Sequence, residues 1–197
     1  MILKTTSLRV DNEQAAKIAA TENEGLLGVL FNRLGHVPKT TTVLETTPFY
    51  YPYYVAGATL TFRRVAGLGS RDVVALAVME GAFGSVQEMR GSPEMEDCSV
   101  PPEQVVACRY GEKQAQTRIC DFLRKKGYTK YRSIPDIRLN EFFLVYKPHY
   151  ACLCQKGKKT FYRVVDAELC ERNYMLDIKF KTLAFVKATN NEKEGKK

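Results

Sequence analysis

The chain has only two histidines, His36 and His149, with which to activate a nucleophile or bind a metal ion. A Ser–His–acid or Cys–His arrangement needs an imidazole against the nucleophile and a third group to orient it. His36 follows a glycine suited to ending a helix and belongs to a loop, and His149 lies in an aromatic, strand-forming stretch where packing accounts for it. A metal would draw on His149, Cys152, Cys154 and Cys170. On a strand, Cys152 and Cys154 face one side and His149 the other. Structural zinc sites use Cys-x-x-Cys knuckles with a second pair at suitable spacing, so Cys-x-Cys reads better as two small apolar core residues. Glu80 and Asp166 could do acid–base work if they were brought together and desolvated. Each precedes a turn, however, where an acidic side chain bonds nearby backbone N–H groups and fixes the turn. Gly67-Leu-Gly69 lacks the lysine of a phosphate-binding loop and opens no helix. The sequence therefore predicts no catalytic residue, no metal and no cofactor, and a protein that is not an enzyme.

Two other groups of residues point to binding. The block Phe49-Tyr-Tyr-Pro-Tyr-Tyr sends Tyr51 and Tyr53 to one face of a strand and Tyr50 and Tyr54 to the other. Proline bends a strand or confines it to an edge, so one set can fill a core while the other stays partly exposed. Tyr50, Tyr51, Tyr53 and Tyr54, with Tyr146, His149 and Tyr150 of a similar block downstream, are the expected interface residues, between parts of the chain or with another chain. The second group is basic: Arg124, Lys125, Lys126, Lys130 and Arg132, then Lys156, Lys158 and Lys159 at a hairpin tip. Residues 1–98 hold 9 Lys/Arg against 11 Asp/Glu, whereas residues 99–197 hold 21 against 11. Cations interleaved with tyrosine suit phosphate contact with base stacking, or an acidic protein surface.

The elements that would position these residues are written twice. Aligned on Pro52 and Pro148, an offset of 96, Tyr50 matches Tyr146 and Tyr54 matches Tyr150. Val78-Met-Glu-Gly parallels Val164-Val-Asp-Ala at an offset of 86, from Glu80 to Asp166. Upstream, Leu27, Leu30, Phe31 and Gly35 parallel Ile119, Phe122, Leu123 and Gly127, each glycine placed to end a helix. One unit reads as a helix (about residues 12–34 and 111–126) followed by about four antiparallel strands. The strands fall at 41–45, 53–62, 73–79 and 83–88 in the first copy. In the second they fall at 137–146, 150–155, 160–166 and 175–186, with Ser99-Val-Pro-Pro opening the second helical region. The expected fold is α+β, a tandem duplication with residues 1–90 and 103–188 as the repeats, 91–102 as a linker and 189–197 as a disordered tail.

The Tyr-x-Pro-Tyr-Tyr line with the later valine–acid–glycine turn resembles a motif of uncharacterised bacterial proteins that pair "YYPYY" with "VDGxTG", often in tandem or beside zinc ribbons. In general shape the unit is similar to cystatin-like modules, and that resemblance implies a binding or dimerising scaffold. Ala167 and Cys170 stand where the motif has glycine. No stretch reaches the roughly 18–20 apolar residues of a membrane span. The first ten residues lack a signal-peptide pattern, so the cysteines are expected reduced and the protein cytoplasmic. These readings lead to a non-enzymatic binding or assembly module whose tyrosine–proline strands build interfaces, with a protein partner or a second copy, and whose basic second repeat meets an acidic partner. Nucleic-acid binding through the same cations is the alternative, and an enzyme of unknown class the third reading.

Overall fold

Asp11 accepts the Gln14 N–H at 2.8 Å while the Gln14 side chain accepts the Asp11 N–H at 3.2 Å, and this reciprocal cap starts helix α1, Asn12–Ala20. The computed structural model describes residues 1–21, 41–63 and 69–186. Leu27, Leu30, Phe31, Gly35, His36, Gly67 and the tail 189–197 lie outside the described residues, as does most of the expected 12–34 helix. Helix α2, Glu112–Tyr131, starts behind Gly111, whose N–H is accepted by the Gln114 side chain at 3.3 Å.

The strands are β1 (Ile2–Thr6), β2 (Thr42–Arg63), β3 (Ser70–Glu80), β4 (Val86–Glu88), β5 (Met95–Ser99), β6 (Asp136–Lys156), β7 (Lys159–Asp166) and β8 (Glu171–Arg172). The α+β class holds, with helices beside extensive strand structure. Two antiparallel hairpins dominate. β2 pairs with β3 from Tyr53↔Glu80 to Arg63↔Ser70, and β6 pairs with β7 from His149↔Asp166 to Lys156↔Lys159. Gly157 closes the second hairpin at φ 63, as the lysine-rich tip led us to expect.

The chain forms two compact units. The first comprises Met1–Thr6, Tyr51–Tyr146 and Ala184–Lys197, and the second Ser7–Tyr50 and Lys147–Leu183. In the first, strands lie in the order β4-β3-β2-β6-β1-β5. Helix α2 buries Ala115, Ile119 and Leu123 against Tyr54, Ala56, Ala58, Leu60, Phe62, Ala77 and Met79 of the β2–β3 hairpin. In the second, α1 buries Ala15 and Ala19 against Tyr150, Cys152, Cys154, Val165 and Ala167 of the β6–β7 hairpin. Each unit thus joins a helix from one half of the sequence to the hairpin of the other half, cutting across the expected division at residues 90 and 103.

Several elements differ from the sequence expectation, each for a local reason. The strands expected at 41–45 and 53–62 are one strand, as are those at 137–146 and 150–155, so the prolines interrupt neither. β1 reaches β6 at Tyr146 and β7 begins at His149, so Pro148 falls between two ladders where no N–H is required. Gly127 does not end its helix, which runs on to Tyr131 and is closed by Arg132 at φ 55. A Cβ on Gly127 would stand 2.9 Å from Pro135 and 3.1 Å from Phe62, so the glycine permits close packing instead. The expected second-copy helix start at 99–104 is a single 3₁₀ turn, Pro102–Gln104. The expected linker contains β5, antiparallel to β1 from Ile2↔Ser99 to Thr6↔Met95. The strand expected at 175–186 is mostly helical: α3 (Tyr174–Lys179), then a 3₁₀ turn, Phe180–Thr182. Asn173 caps α3 by accepting the Leu176 N–H at 3.1 Å, and a cap outweighs the weak alternation of Leu176, Ile178 and Phe180.

Candidate functional site: the hairpin ends and the basic helix

At the open end of the β6–β7 hairpin the pleat brings four polar side chains together. Asp166 lies opposite His149 in the ladder, and Lys147 is two residues away on the same face. Lys147 Nζ donates to Asp166 Oδ2 at 2.9 Å and lies 3.0 Å from Glu168 Oε2. Asp166 Oδ1 accepts the N–H groups of Glu168 and Leu169, both at 3.0 Å. The His149 ring is fully buried, with Nε2 3.7 Å from Asp166 Oδ2 and Nδ1 3.0 Å from Lys147 O. It stacks on Phe49, with centroids 5.4 Å apart, and Phe49 in turn meets Phe180 of the 3₁₀ turn.

Burial pushes the His149 pKa below its usual 6.5, outweighing the pull of Asp166, so the ring is neutral at pH 7. Burial also opposes ionisation of Asp166, but the facing His149 and Lys147 and the Leu169 N–H overcome it, and its pKa falls below the usual 3.8. Burial likewise works against the Lys147 charge, and the two carboxylates outweigh it, raising that pKa. The result is a carboxylate and an ammonium held ionised beside a neutral imidazole. His149 and Asp166 are buried while Lys147 and Glu168 are partly exposed, and the bonds that Asp166 accepts from the Glu168 and Leu169 N–H groups fix the turn.

In the first unit, Tyr51, Tyr53 and Glu80 lie at the open end of the β2–β3 hairpin. Tyr53 lies opposite Glu80, and the Tyr51 and Tyr53 rings are 5.3 Å apart. Burial, with the Glu80 charge second, raises the Tyr51 pKa. Tyr54 donates to Tyr110 O at 2.7 Å, and burial pushes its pKa up to about 12. The Cys108 thiol lies 4.0 Å from the Tyr146 hydroxyl. Burial raises the pKa of Tyr146, with the Cys108 charge second.

The expected interface aromatics are therefore almost wholly interior. Tyr51, Tyr53, Tyr54, Tyr146, His149 and Tyr150 are all buried, and only Tyr50 is partly exposed. Beyond Tyr50, the expected exposed aromatic set is not seen: Tyr54 packs in the core under α2 and Tyr150 in the core under α1. Cys152 and Cys154 pack beneath α1 as small apolar residues, and burial lifts the Cys152 pKa to about 11. No group of three or more His, Cys, Asp or Glu side chains poised for a metal occurs among the described residues.

The cations fall in two places. Arg124, Lys125, Lys126, Lys130 and Arg132 are exposed on α2 and its cap, in the first unit; Lys156, Lys158 and Lys159 are exposed at the β6–β7 tip, in the second. Arg124 pairs with Asp121 at 2.9 Å, and Lys126 lies 3.6 Å from Glu88. Arg163 is 7% exposed and does not belong to the basic surface. Its guanidinium donates to Ala19 O and, at 3.5 Å, to Thr21 O, capping the carbonyl end of α1. Lys147, Glu168 and Arg163 were missed in the sequence. Counting back from the Gly157 turn fixes His149 opposite Asp166, and alternation then puts Lys147 on the same face, so that signal was present.

No helix among the described residues is long and apolar enough to cross a membrane. The chain matches no protein-family model, no curated protein sequence and no solved structure.

Proposed function

We propose that this chain is a non-enzymatic binding or assembly module, made by tandem duplication of one α+β unit, that meets an acidic partner through its basic residues. Its polar groups divide into two populations, and this division carries the functional reading. The Lys147–His149–Asp166–Glu168 cluster is consumed internally, whereas the α2 cations face outward. Lys125, Lys130 and Arg132 have no ion-pair partner among the described residues. Exposed, unneutralised cations on a rigid helix are suited to steering and holding an acidic surface.

Duplication is supported by contacts made twice at matching positions. The Arg9 N–H donates to Ala167 O at 3.0 Å and the Arg109 N–H to Gly81 O at 2.9 Å. Gly81 donates to Pro52 O and Ala167 to Pro148 O, at 2.8 and 3.1 Å. Tyr54 bonds the carbonyl of Tyr110, just before α2, and Tyr150 that of Val10, just before α1, at 2.7 and 3.1 Å. Gln14 and Gln114 make the same cap contact. These pairings align the helices at an offset of 100, from Gln14 to Gln114, and not at the 92 of the Leu27–Ile119 sequence match. One helix across antiparallel strands is also the arrangement on which the cystatin-like expectation rests.

The test is a salt series with two polyanions, a mixed-sequence oligonucleotide and polyglutamate. The expected result is polyglutamate binding that weakens with salt and exceeds oligonucleotide binding at equal charge. Preferential oligonucleotide binding with a steep salt slope would favour the nucleic-acid alternative. Absence of both at low salt would overturn the acidic-partner reading.

A further inference from the structure

We infer that the open stretch of the β3 edge in the first unit receives an acidic peptide, which adds to it as a strand. β4 pairs with β3 only from Ala77 to Met79, and the Met89 N–H then donates to Leu76 O at 3.0 Å. Along residues 70–75, β3 has no strand neighbour on that side among the described residues. The Glu80 N–H donates to Ser85 O at 2.9 Å, so Leu76 and Glu80 both turn their backbone groups away from β2. In an antiparallel ladder alternate residues turn the same way, so Asp72 and Val74 present their N–H and C=O groups at the open edge. The Val74 side chain is 75% exposed beside them.

Along this edge runs a groove of about 420 Å³ between β3 and the last turns of α2. Its floor is apolar (Leu60, Val73, Ala75 and Leu123) and its wall carries Lys126, Lys130 and Arg90 against the single acid Glu88. Arg71, on the helix-facing side of β3, lies over the Tyr131 ring at 5.2 Å. An added strand would have its backbone held by Asp72 and Val74, as in recognition by strand addition. Its side chains directed at α2 would meet Lys126, Lys130 and Arg71, and those directed the other way would meet Val74 and Leu76. The occupant is therefore an extended peptide that alternates acidic with β-branched apolar residues. An unpaired backbone edge above an apolar floor fits a peptide better than a phosphate chain. The inference rests on the acidic-partner reading above and narrows it to a strand-forming segment at one place.

The probe is a fluorescein-labelled (Glu-Val)₅ peptide, read by anisotropy, beside the same peptide N-methylated at alternate residues and beside polyglutamate. The expected result is saturable binding of (Glu-Val)₅, at least tenfold weaker after N-methylation and at least tenfold weaker to Lys130→Glu. Val74→Pro removes an edge N–H while leaving the β2 ladder intact, and should weaken binding similarly where Val74→Thr does not. The N-methylated probe decides the matter even if Val74→Pro fails to fold, because the protein is unaltered. Equal binding of the methylated and unmethylated peptides overturns strand addition, and polyglutamate binding in the same assay would then leave the broader acidic-partner reading standing. Loss of both peptide and polyglutamate binding overturns both.

Discussion

Asp166 divides its two carboxylate oxygens between tasks: Oδ1 accepts two turn N–H groups and Oδ2 faces Lys147. Asp166→Asn keeps an acceptor for the turn but sets a neutral amide against a partly buried ammonium. Unpairing a buried charge typically costs about 3–5 kcal/mol, and Glu168 reduces this, so a loss of roughly 2–3 kcal/mol is expected in urea denaturation. The same cluster sets a pH dependence whose sign can be worked out. His149 has a lowered folded pKa, so below about 6.5 the unfolded chain takes up a proton that the folded chain refuses, and stability falls with pH. Asp166, also lowered, contributes stability that is present above its ordinary 3.8 and lost as pH falls through its folded value. Denaturation midpoints should decline from about pH 6.5 downward. In His149→Phe, which keeps the stack on Phe49, the limb that starts below about pH 6.5 should flatten, and the lower limb should shrink but persist, because Lys147 and the Leu169 N–H still hold the Asp166 pKa down. An unchanged upper limb would show that His149 is not its source.

At the scale of elements, each of the two hairpin-end turns places one residue in the left-handed region. Gly84 adopts φ 74 and Cys170, 86 positions on, adopts φ 57. An L-residue in that region costs about 1–2 kcal/mol, so Cys170→Gly should raise stability by up to about 1 kcal/mol. Thermal melting checks this. Gly84→Ala should be the opposite case, destabilising by about 1–3 kcal/mol through left-handed strain and contact with Tyr110. The added Cβ would stand 2.6 Å from the Tyr110 ring. Elements governed by neighbours in the chain were the legible ones. Turn chemistry and tyrosine–proline spacing located both hairpins, and the Glu80 and Asp166 turns were placed correctly. What depends on distant partners was not legible. Whether Gly127 ends a helix or admits Pro135 and Phe62 is decided by a segment that packs on it, and Leu176–Phe180 alternates like a strand although Asn173 caps it as a helix. The candidate site was legible in part: His149 and Asp166 were noticed singly, but Lys147 entered only once the hairpin register was known.

For the whole molecule, the charge asymmetry of the sequence does not describe the folded units. The basic helix α2 comes from the cation-rich half, yet it packs on the β2–β3 hairpin of the near-neutral half, while Lys156, Lys158 and Lys159 stand on the other unit. Neither half of the chain holds a complete unit, which gives a further prediction. Fragments 1–100 and 101–197, expressed separately, should lack a cooperative thermal transition as monomers. Mixed and refolded together, they should form a one-to-one complex that melts cooperatively, as shown by circular dichroism and size-exclusion chromatography. A monomeric fragment with its own sharp transition would contradict the exchange of helices.

That exchange also dictates an order of events on the ribosome. The first unit has its hairpin, its helix and the opening of β6 once Tyr146 has emerged. Helix α1, made before either hairpin, buries Ala15 and Ala19 only against strands that end at Asp166. Contacts so distant in sequence form slowly, and an apolar helix face left waiting invites association with other chains. Helix α1 is thus translated before the first unit's hairpin yet covered after it, and the nascent chain carries that apolar face exposed until the β6–β7 hairpin has been made.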